Sequence, residues 1–370
     1  MEPRTVGVEE EFLLVDPTGV PKPVGERVAA EGDRSASGRH ATGPAGIEHE
    51  LQQEQAETGT RVQIRLDHLQ ADLEQHRMAL ARTAASNGVR VAALATSPIP
   101  VDPTPTPDPR YLQIMRSYGA TAQEQLTCGC HVHVGTDSRA EGVAVINAIQ
   151  PWLSVILALS ANSPFWQGVD TGYASYRRMV WDRWPSAGPT APFTGVVDYD
   201  ETVASLLRSQ VLLDDGMVYF HARLSAKYPT VEIRVADVCP EATDAVLVAA
   251  LCRSLVDAAA RAANEGSPWP TARPELLRGA AWRAAKSGLD EDLIDPVTGT
   301  ALPAQTRLQQ MIDRIGPSLR RHGDADQVQS SLDQLLRRGT GASLQRAEYA
   351  RTGNLPDVVS AAVHWTTPPQ

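Results

Sequence analysis

Near its start the chain runs Val6-Gly7-Val8-Glu9-Glu10-Glu11-Phe12-Leu13-Leu14, and this alternation constrains the fold more than any other stretch. Val6, Val8, Phe12 and Leu14 share the parity of a β-strand with one buried face. The same parity puts Glu10 on the apolar side, where a carboxylate needs a partner such as an arginine. Glu9 and Glu11 fall on the opposite face, roughly 7 Å apart along the strand. Like charges held that close repel unless a cation joins them, and oxygen ligands suit Mg2+ or Mn2+. Taken alone, the segment equally describes an edge strand with solvated acids.

After a turn at Asp16-Pro17-Thr18-Gly19, residues 19–46 mix Gly, Pro, Ala and charge without periodicity, which predicts a surface loop. Between Ile47 and Val62 lies a second acidic group, Glu48, Glu50, Glu54 and Glu57. In a plain strand Glu50 and Glu57 would face opposite ways, so a shared site would need a bulge or a helical turn. Leucines at helical spacing predict a helix from Arg65 to Asn87, and a strand follows at Val89–Ala95. The prolines from Pro98 to Pro109 predict an extended loop. Thr127–Thr136 reads as a strand, and residues 138–160 as a helix pair broken near Pro151. Residues 162–195, rich in aromatics, Arg and Pro, read as a long irregular segment and a candidate closing element. Strands near Met217–Leu224 and Thr230–Val238 precede helices at about 241–264, 273–287, 304–321, 325–338 and 341–352. Early strands and late helices predict an α+β fold, its antiparallel sheet covered by helices on one face. We expect one domain over residues 1–370, with a sheet-containing core at 1–260 and a mainly helical part at 261–370.

With 34 basic and 44 acidic residues the formal net charge is -10, which argues against nucleic acid or an anionic membrane as partner. No basic stretch followed by an apolar run opens the chain, so the cytoplasm is the expected location. The most apolar window, Gly142–Ala161, contains Asn147, Gln150, Pro151 and Ser154 and suits a buried helix pair better than a membrane span. Cys128, Cys130, Cys239 and Cys252 are too few for a disulfide framework in a chain of 370 residues, and free thiols are expected. P-loop, dinucleotide-binding and Gly-x-Ser-x-Gly patterns are missing.

Cys128-Gly129-Cys130-His131-Val132-His133-Val134-Gly135 suggests zinc, yet in a strand the cysteines and histidines face opposite ways. The histidine face also carries Gly129 and Gly135, leaving room for a ligand. In Val231-Glu232-Ile233-Arg234-Val235 an acid and an arginine share one face; they could hold a cation and a phosphate, or simply each other. Tyr173-Ala174-Ser175-Tyr176-Arg177-Arg178 offers guanidinium groups and stacking surfaces for a nucleotide or a carboxylate, or else a loop packed by Trp181 and Trp184.

Taken in order, Gly7-Val8-Glu9-Glu10-Glu11-Phe12, the Glu50 to Glu57 spacing, Gly129-x-His131-Val132-His133-Val134-Gly135, Ser160-Ala161-Asn162-Ser163-Pro164, Thr171-Gly172-Tyr173-Ala174-Ser175-Tyr176-Arg177 and Glu232-Ile233-Arg234 resemble the type 2 glutamate-cysteine ligase family of carboxylate-amine ligases. The resemblance implies a glutamine-synthetase-like catalytic domain: a curved antiparallel sheet, helices on its outer face, and ATP used as co-substrate with Mg2+ or Mn2+. It implies Glu9, Glu11, Glu50, Glu57, His131 and Glu232 as metal ligands, and Arg177, Arg223 and Arg234 as contacts to phosphate or the substrate carboxylate. Glu57, Arg177 and Arg234 would be catalytic, with His133, Tyr173 and Arg178 as neighbours that bind substrate or nucleotide. Many members have Gly-Thr-His-Pro where this chain has Ala95-Thr96-Ser97-Pro98, so no role of that histidine is carried over. The implied reaction joins glutamate to cysteine or another amine through an acyl phosphate, giving a γ-glutamyl amide. Its partners would be small molecules, and a homo-oligomer is allowed. Two alternatives are a non-catalytic relative that binds ATP or an amino acid, and a zinc hydrolase.

Overall fold

The computed structural model describes residues 3–36 and 46–367. The antiparallel sheet has seven strands: β1 (Val6–Val15), β2 (Ile47–His49), β3 (Gln55–Gly59), β4 (Arg90–Ala92), β5 (Gly129–Gly135) and, beyond a two-residue pair β6 (Phe165–Trp166) and β7 (Val169–Asp170) that lies outside it, β8 (Ala222–Leu224) and β9 (Thr230–Asp237). Their spatial order is β2-β3-β1-β5-β9-β8, with β4 pairing to the far end of β1. The predicted α+β class therefore holds.

Helices α1 (Gly25–Ala36), α2 (Leu66–Ser86), α3 (Pro109–Tyr118), α4 (Ala120–Gln123), α5 (Arg139–Ile149), α6 (Leu153–Ser160), α7 (Tyr176–Trp181), α8 (Val196–Arg208) and α9 (Ala242–Asn264) are interspersed with the strands. Then come α10 (Pro274–Ser287), the β10–β11 hairpin (Asp292–Asp295, Thr300–Pro303), α11 (Ala304–His322), α12 (Ala325–Arg338), α13 (Gly341–Thr352) and α14 (Leu355–Thr366). Val6, Val8, Val132, Val134, Val231 and Ile233 form the apolar face of the sheet, and α2, α5, α6 and α9 cover it. Burying this continuous apolar face against α9 is the main stabilisation of the sheet. Leu308, Met311, Val328 and Leu335 of α11 and α12 join the same cluster, so the late helices share the core of the sheet.

The apolar run at 142–161 folds as expected: α5 and α6 are buried and meet at a single 3-10 turn, Gln150–Trp152, where Pro151 breaks the helical ladder. All four cysteines are buried and unbonded. The predicted loop at 19–46 is corrected in part, because α1 packs there on β2 and β3; residues 37–45 lie outside the described residues. Its buried residues Gly25, Val28, Ala29 and Gly32 do follow helical spacing, but two of the four are glycines, which add no apolar side chain to the pattern. A side chain at Gly32 would lie 2.7 Å from Ile47, and one at Gly25 would lie 2.4 Å from the Gln55 carbonyl. The reading from sequence likewise places no helix at α3, α8 or α14, and the strand expected from Met217 shrinks to Ala222–Leu224 behind a 3-10 turn.

Candidate active site

The uncovered face of the sheet lines a cavity of about 940 Å3 to which six strands contribute side chains. Three cross-strand rows organise it. In the first, Glu48 pairs with Glu57 and Glu57 with Glu11; the Gly129 N–H donates to Glu11 Oε2 at 2.6 Å, and Gly129 pairs with Asp237. The second row is Gly59, Glu9 and His131. The third is Gly7, His133, Glu232 and Arg223. Glycines alternate with the acids and imidazoles, which leaves room above the backbone for a ligand.

Glu50 reaches this face by a route that simple alternation misses. Residues 47–59 form a hairpin, and Glu50 begins the turn between its strands. The proline-rich segment braces that turn. The Thr106 hydroxyl donates to the Glu50 carbonyl at 2.6 Å, the Gln53 N–H donates to the Thr104 carbonyl, and the Thr104 N–H donates to the buried Glu54 carboxylate.

Donor atoms gather in three groups, each spanning no more than 4.8 Å: Glu9, Glu57 and His131; Glu9, His133 and Glu232; Glu11, Glu50 and Glu57. His131 Nε2 and His133 Nε2 are buried without a hydrogen bond, and the gaps from His131 Nδ1 to Glu9 and from His131 Nε2 to Glu11 are 3.7 and 3.8 Å. Such spacings are too long for hydrogen bonds and leave room for bridging cations. Burial, reinforced by Arg234, lowers His131 to about 3, so its imidazole is neutral and able to ligate. Burial and the neighbouring Glu50 push Glu11 up to about 7, and burial with Glu50, Glu9 and Glu11 pushes Glu57 well above the usual range. Carboxyl groups crowded in this way hold protons until a cation replaces them. Both the donor set and its electrostatics therefore fit divalent cations.

The edge formed by β8 and β9 is basic. Glu232 accepts from Arg223 Nε at 2.7 Å and also pairs with Arg234, and the two arginines hold it well below the usual carboxylate range against the effect of burial. A cation at Glu232 would share that carboxylate with both guanidinium groups. Arg234 lies over the rings of Trp181 and Tyr219. Arg177 sits one layer below the wall: it is buried, packs over Trp181, and its Nε and Nη2 have no partners.

Like Arg177, two other residues named from sequence, Tyr173 and Arg178, are not brought to the wall. Tyr173 packs on Tyr176 and under the Lys286 ammonium. Arg178 is buried outside the cavity lining and pairs with Asp182. Consecutive helical residues diverge by about 100°, so Arg177 and Arg178 leave the helix in different directions. Part of the candidate closing segment at 162–195 is held in place, while residues 167–170 are exposed. Asn162, Ser163, Ser175, Arg177 and Arg178 are buried, and the N–H groups of Ala174 and Ser175 donate to the Ala285 carbonyl of α10. Nor does a Cys-His zinc site form among the described residues: Cys128 and Cys130 lie in the two apolar clusters, behind the histidines.

Sequence reasoning misses Asp237 altogether. Cys130 pairs with Ala236 and Val132 with Ile233, so three steps on β9 oppose two on β5. The extra residue is a β-bulge that reverses the facing of β9. Glu232 and Arg234 face the cavity on one side of it, and odd-numbered Asp237 faces the same way on the other. Nothing in the local residue pattern marks that bulge.

Gly129, opposite Asp237, shows how tightly this corner is packed. A Cβ there would lie 2.3 Å from Arg177 Nη2 and 2.9 Å from His131 Nε2. We expect Gly129→Ala to leave the melting temperature within a few degrees of wild type while lowering kcat/KM at least tenfold, because both side chains must move. Full activity in that variant would show that neither position matters.

The sequence model of glutamate-cysteine ligase family 2 matches residues 5–361. A Frankia alni protein provisionally named glutamate-cysteine ligase 2-2 is 49% identical over 98% of this chain and 97% of its own length. A Streptomyces coelicolor protein provisionally named glutamate-cysteine ligase 2 is 48% identical over 98% and 99%. Among solved structures, glutamate-cysteine ligase from Francisella tularensis in complex with AMP superposes with a TM-score of 0.69 at 13% identity, covering 100% of this chain and 90% of that one. The bifunctional glutathione synthetase of Pasteurella multocida gives 0.66 at 16% identity, covering 98% of this chain and 52% of that one. The fold is thus the glutamine-synthetase-like one, and the chain belongs to glutamate-cysteine ligase family 2, making it a carboxylate-amine ligase that uses ATP and a divalent metal.

Proposed function

We propose that the enzyme forms a γ-glutamyl amide from glutamate and an amine, cysteine being the first candidate, with Mg2+ or Mn2+ as the cation and an acyl phosphate as intermediate. The observation that carries this reading is the polarity of one face: three clusters of carboxylate and imidazole donors at its centre, and Arg223 and Arg234 at its β8–β9 edge.

A carboxylate is a poor electrophile, so its oxygen first attacks the γ-phosphorus of ATP and ADP departs. Glu9, Glu11, Glu50, Glu57, His131 and Glu232 would hold cations that neutralise the phosphates and align the transfer. His133 belongs with them through the Glu9–His133–Glu232 group, a different role from the neighbour implied by resemblance. Arg234, aromatic-backed and buried, offers a fixed positive charge to the phosphoryl group or the substrate carboxylate. Arg223 is already bonded to Glu232 and to the Gly216 and Val218 carbonyls, so it acts mainly by holding Glu232. Arg177 adds positive potential beneath Glu11. The amine then attacks the acyl carbon and expels phosphate. A cytoplasmic location, where ATP is supplied, agrees with this chemistry.

The test uses glutamate labelled with oxygen-18 in its γ-carboxyl, ATP, Mg2+ or Mn2+, and a panel of amines including cysteine. ADP release should require every component, and one labelled oxygen should enter phosphate at each turnover. Turnover without label transfer would remove the acyl phosphate; absence of turnover across the panel would remove the γ-glutamyl reading.

A further inference from the structure

We propose that Asp237 is a positioning residue that fixes Arg177 at the floor of the site by two separate grips. The inference rests on the assignment of Arg177 to the catalytic machinery and goes beyond it. Asp237 is fully buried, and the bulge in β9 turns it onto the working face. The first grip is direct: Asp237 Oδ1 lies 3.9 Å from Arg177 Nη1, within ion-pair range. The second runs through the backbone. Asp237 Oδ2 accepts from the Ser163 hydroxyl at 2.8 Å, and that hydroxyl oxygen accepts from the Arg177 N–H at 3.0 Å.

The same carboxylate anchors the rest of the strap that carries Arg177. Oδ2 also accepts from the Asn162 N–H at 2.8 Å, and Oδ1 accepts from the Ser175 hydroxyl at 2.9 Å. One carboxylate therefore ties both ends of the segment 162–177 to the sheet at the bulge.

The consequence lies in what Arg177 is left free to do. Its Nε and Nη2 have no partner, Trp181 supports its plane, and Glu11 is near enough to feel its charge. A buried guanidinium with unused donors next to a carboxylate tends to collapse onto it. Asp237 opposes that collapse from the other side, keeping Glu11 free for a cation and Arg177 free for an anionic group of the substrate.

The test is a double-mutant cycle on kcat and KM for ATP and for glutamate, with melting temperatures for every variant. Asp237→Asn preserves shape and some acceptor capacity but removes the charge that faces Arg177. It should lower kcat/KM at least tenfold in the wild-type background and less than twofold in an Arg177→Ala background. Where turnover of Arg177→Ala is too low to measure, the cycle is read on the dissociation constant for ATP by calorimetry. Should Asp237→Asn fail to fold, Ser163→Ala cuts the second grip alone; a threefold loss that vanishes without Arg177 is the expected result. Equal losses in both backgrounds, or full activity in folded Asp237→Asn, overturn the inference. Full activity in Arg177→Ala sinks the assignment of Arg177 itself, whereas additive losses sink only the positioning role.

Discussion

Glu11→Gln should leave the fold intact and lower turnover by about a hundredfold or more. Loss of an outer-sphere partner of a metal ligand typically costs about 10- to 100-fold, so loss of a ligand should cost at least the upper end of that range. Glu11 is mostly buried, within 4.8 Å of donor atoms on Glu50 and Glu57, and fixed by the Gly129 N–H. Glutamine keeps the shape and one acceptor oxygen but carries no charge. Wild-type turnover in this variant would remove Glu11 from the metal site.

Stability without divalent ions should move the other way. Burial and Glu50 raise Glu11 to about 7 from its ordinary 4.5, so its folded-state value lies above its unfolded one. Its contribution to stability is then fully present below pH 4.5 and is lost as the pH rises through 7. Because Glu11 and Glu57 are both raised and interact, the proton belongs to the two of them jointly. Relative to Glu11→Gln, the cation-free wild type should weaken between these limits with a slope approaching about 1.4 kcal/mol per pH unit. Saturating Mg2+ should flatten that difference, since the cation replaces the proton. Chemical denaturation of both proteins across this pH range, with and without Mg2+, provides the measurement; parallel profiles would show that the pair is not electrostatically strained.

Strand parity made much of this site legible. In β1 and β5 the pairing of Glu9 with His131 and of Gly7 with His133 follows from straightforward alternation. The same parity correctly predicted that Glu10 faces the apolar side and needs an arginine, although nothing in the sequence singles out Arg77 among the basic residues. Asp237 was illegible because a bulge leaves no local trace in residue type, whereas Glu50 was legible through the family resemblance alone, since a hairpin turn places it off the strand and beyond the reach of alternation. Tyr173 sits inside a matching motif and Arg178 directly after it, but a motif records neighbours along the chain. Which of two adjacent arginines meets the sheet depends on the helical phase of α7. Helix α1 was overlooked for a different reason: Gly25, Val28, Ala29 and Gly32 keep helical spacing on its buried face, but the two glycines, where the absence of a side chain permits packing, give that pattern little apolar weight.

The largest loss of stability is expected from Arg77→Met. Arg77 is 1% exposed and holds Glu10, itself fully buried, with Nε at 3.0 Å and Nη2 at 2.5 Å. The same guanidinium donates to the Pro240 and Cys239 carbonyls at 2.8 and 2.9 Å and lies over the Phe12 ring. It therefore ties β1 and α2 to the chain just beyond β9. Removing one partner of a buried ion pair leaves an uncompensated charge, which costs about 3–5 kcal/mol. Most of that penalty arises from stranded Glu10 and should be relieved when the charge is removed as well. Arg77→Met combined with Glu10→Leu should thus regain more than half of the loss in urea unfolding, because apolar side chains of similar volume can replace a buried pair at little cost. A single variant within about 1 kcal/mol of wild type would mean that water reaches Glu10. A double variant as weak as the single would shift the cost to the two carbonyls left without a donor. Since Glu10 lies between Glu9 and Glu11, the single variant should also disturb the metal-binding row before the protein unfolds, raising the Mg2+ concentration needed for half-maximal activity.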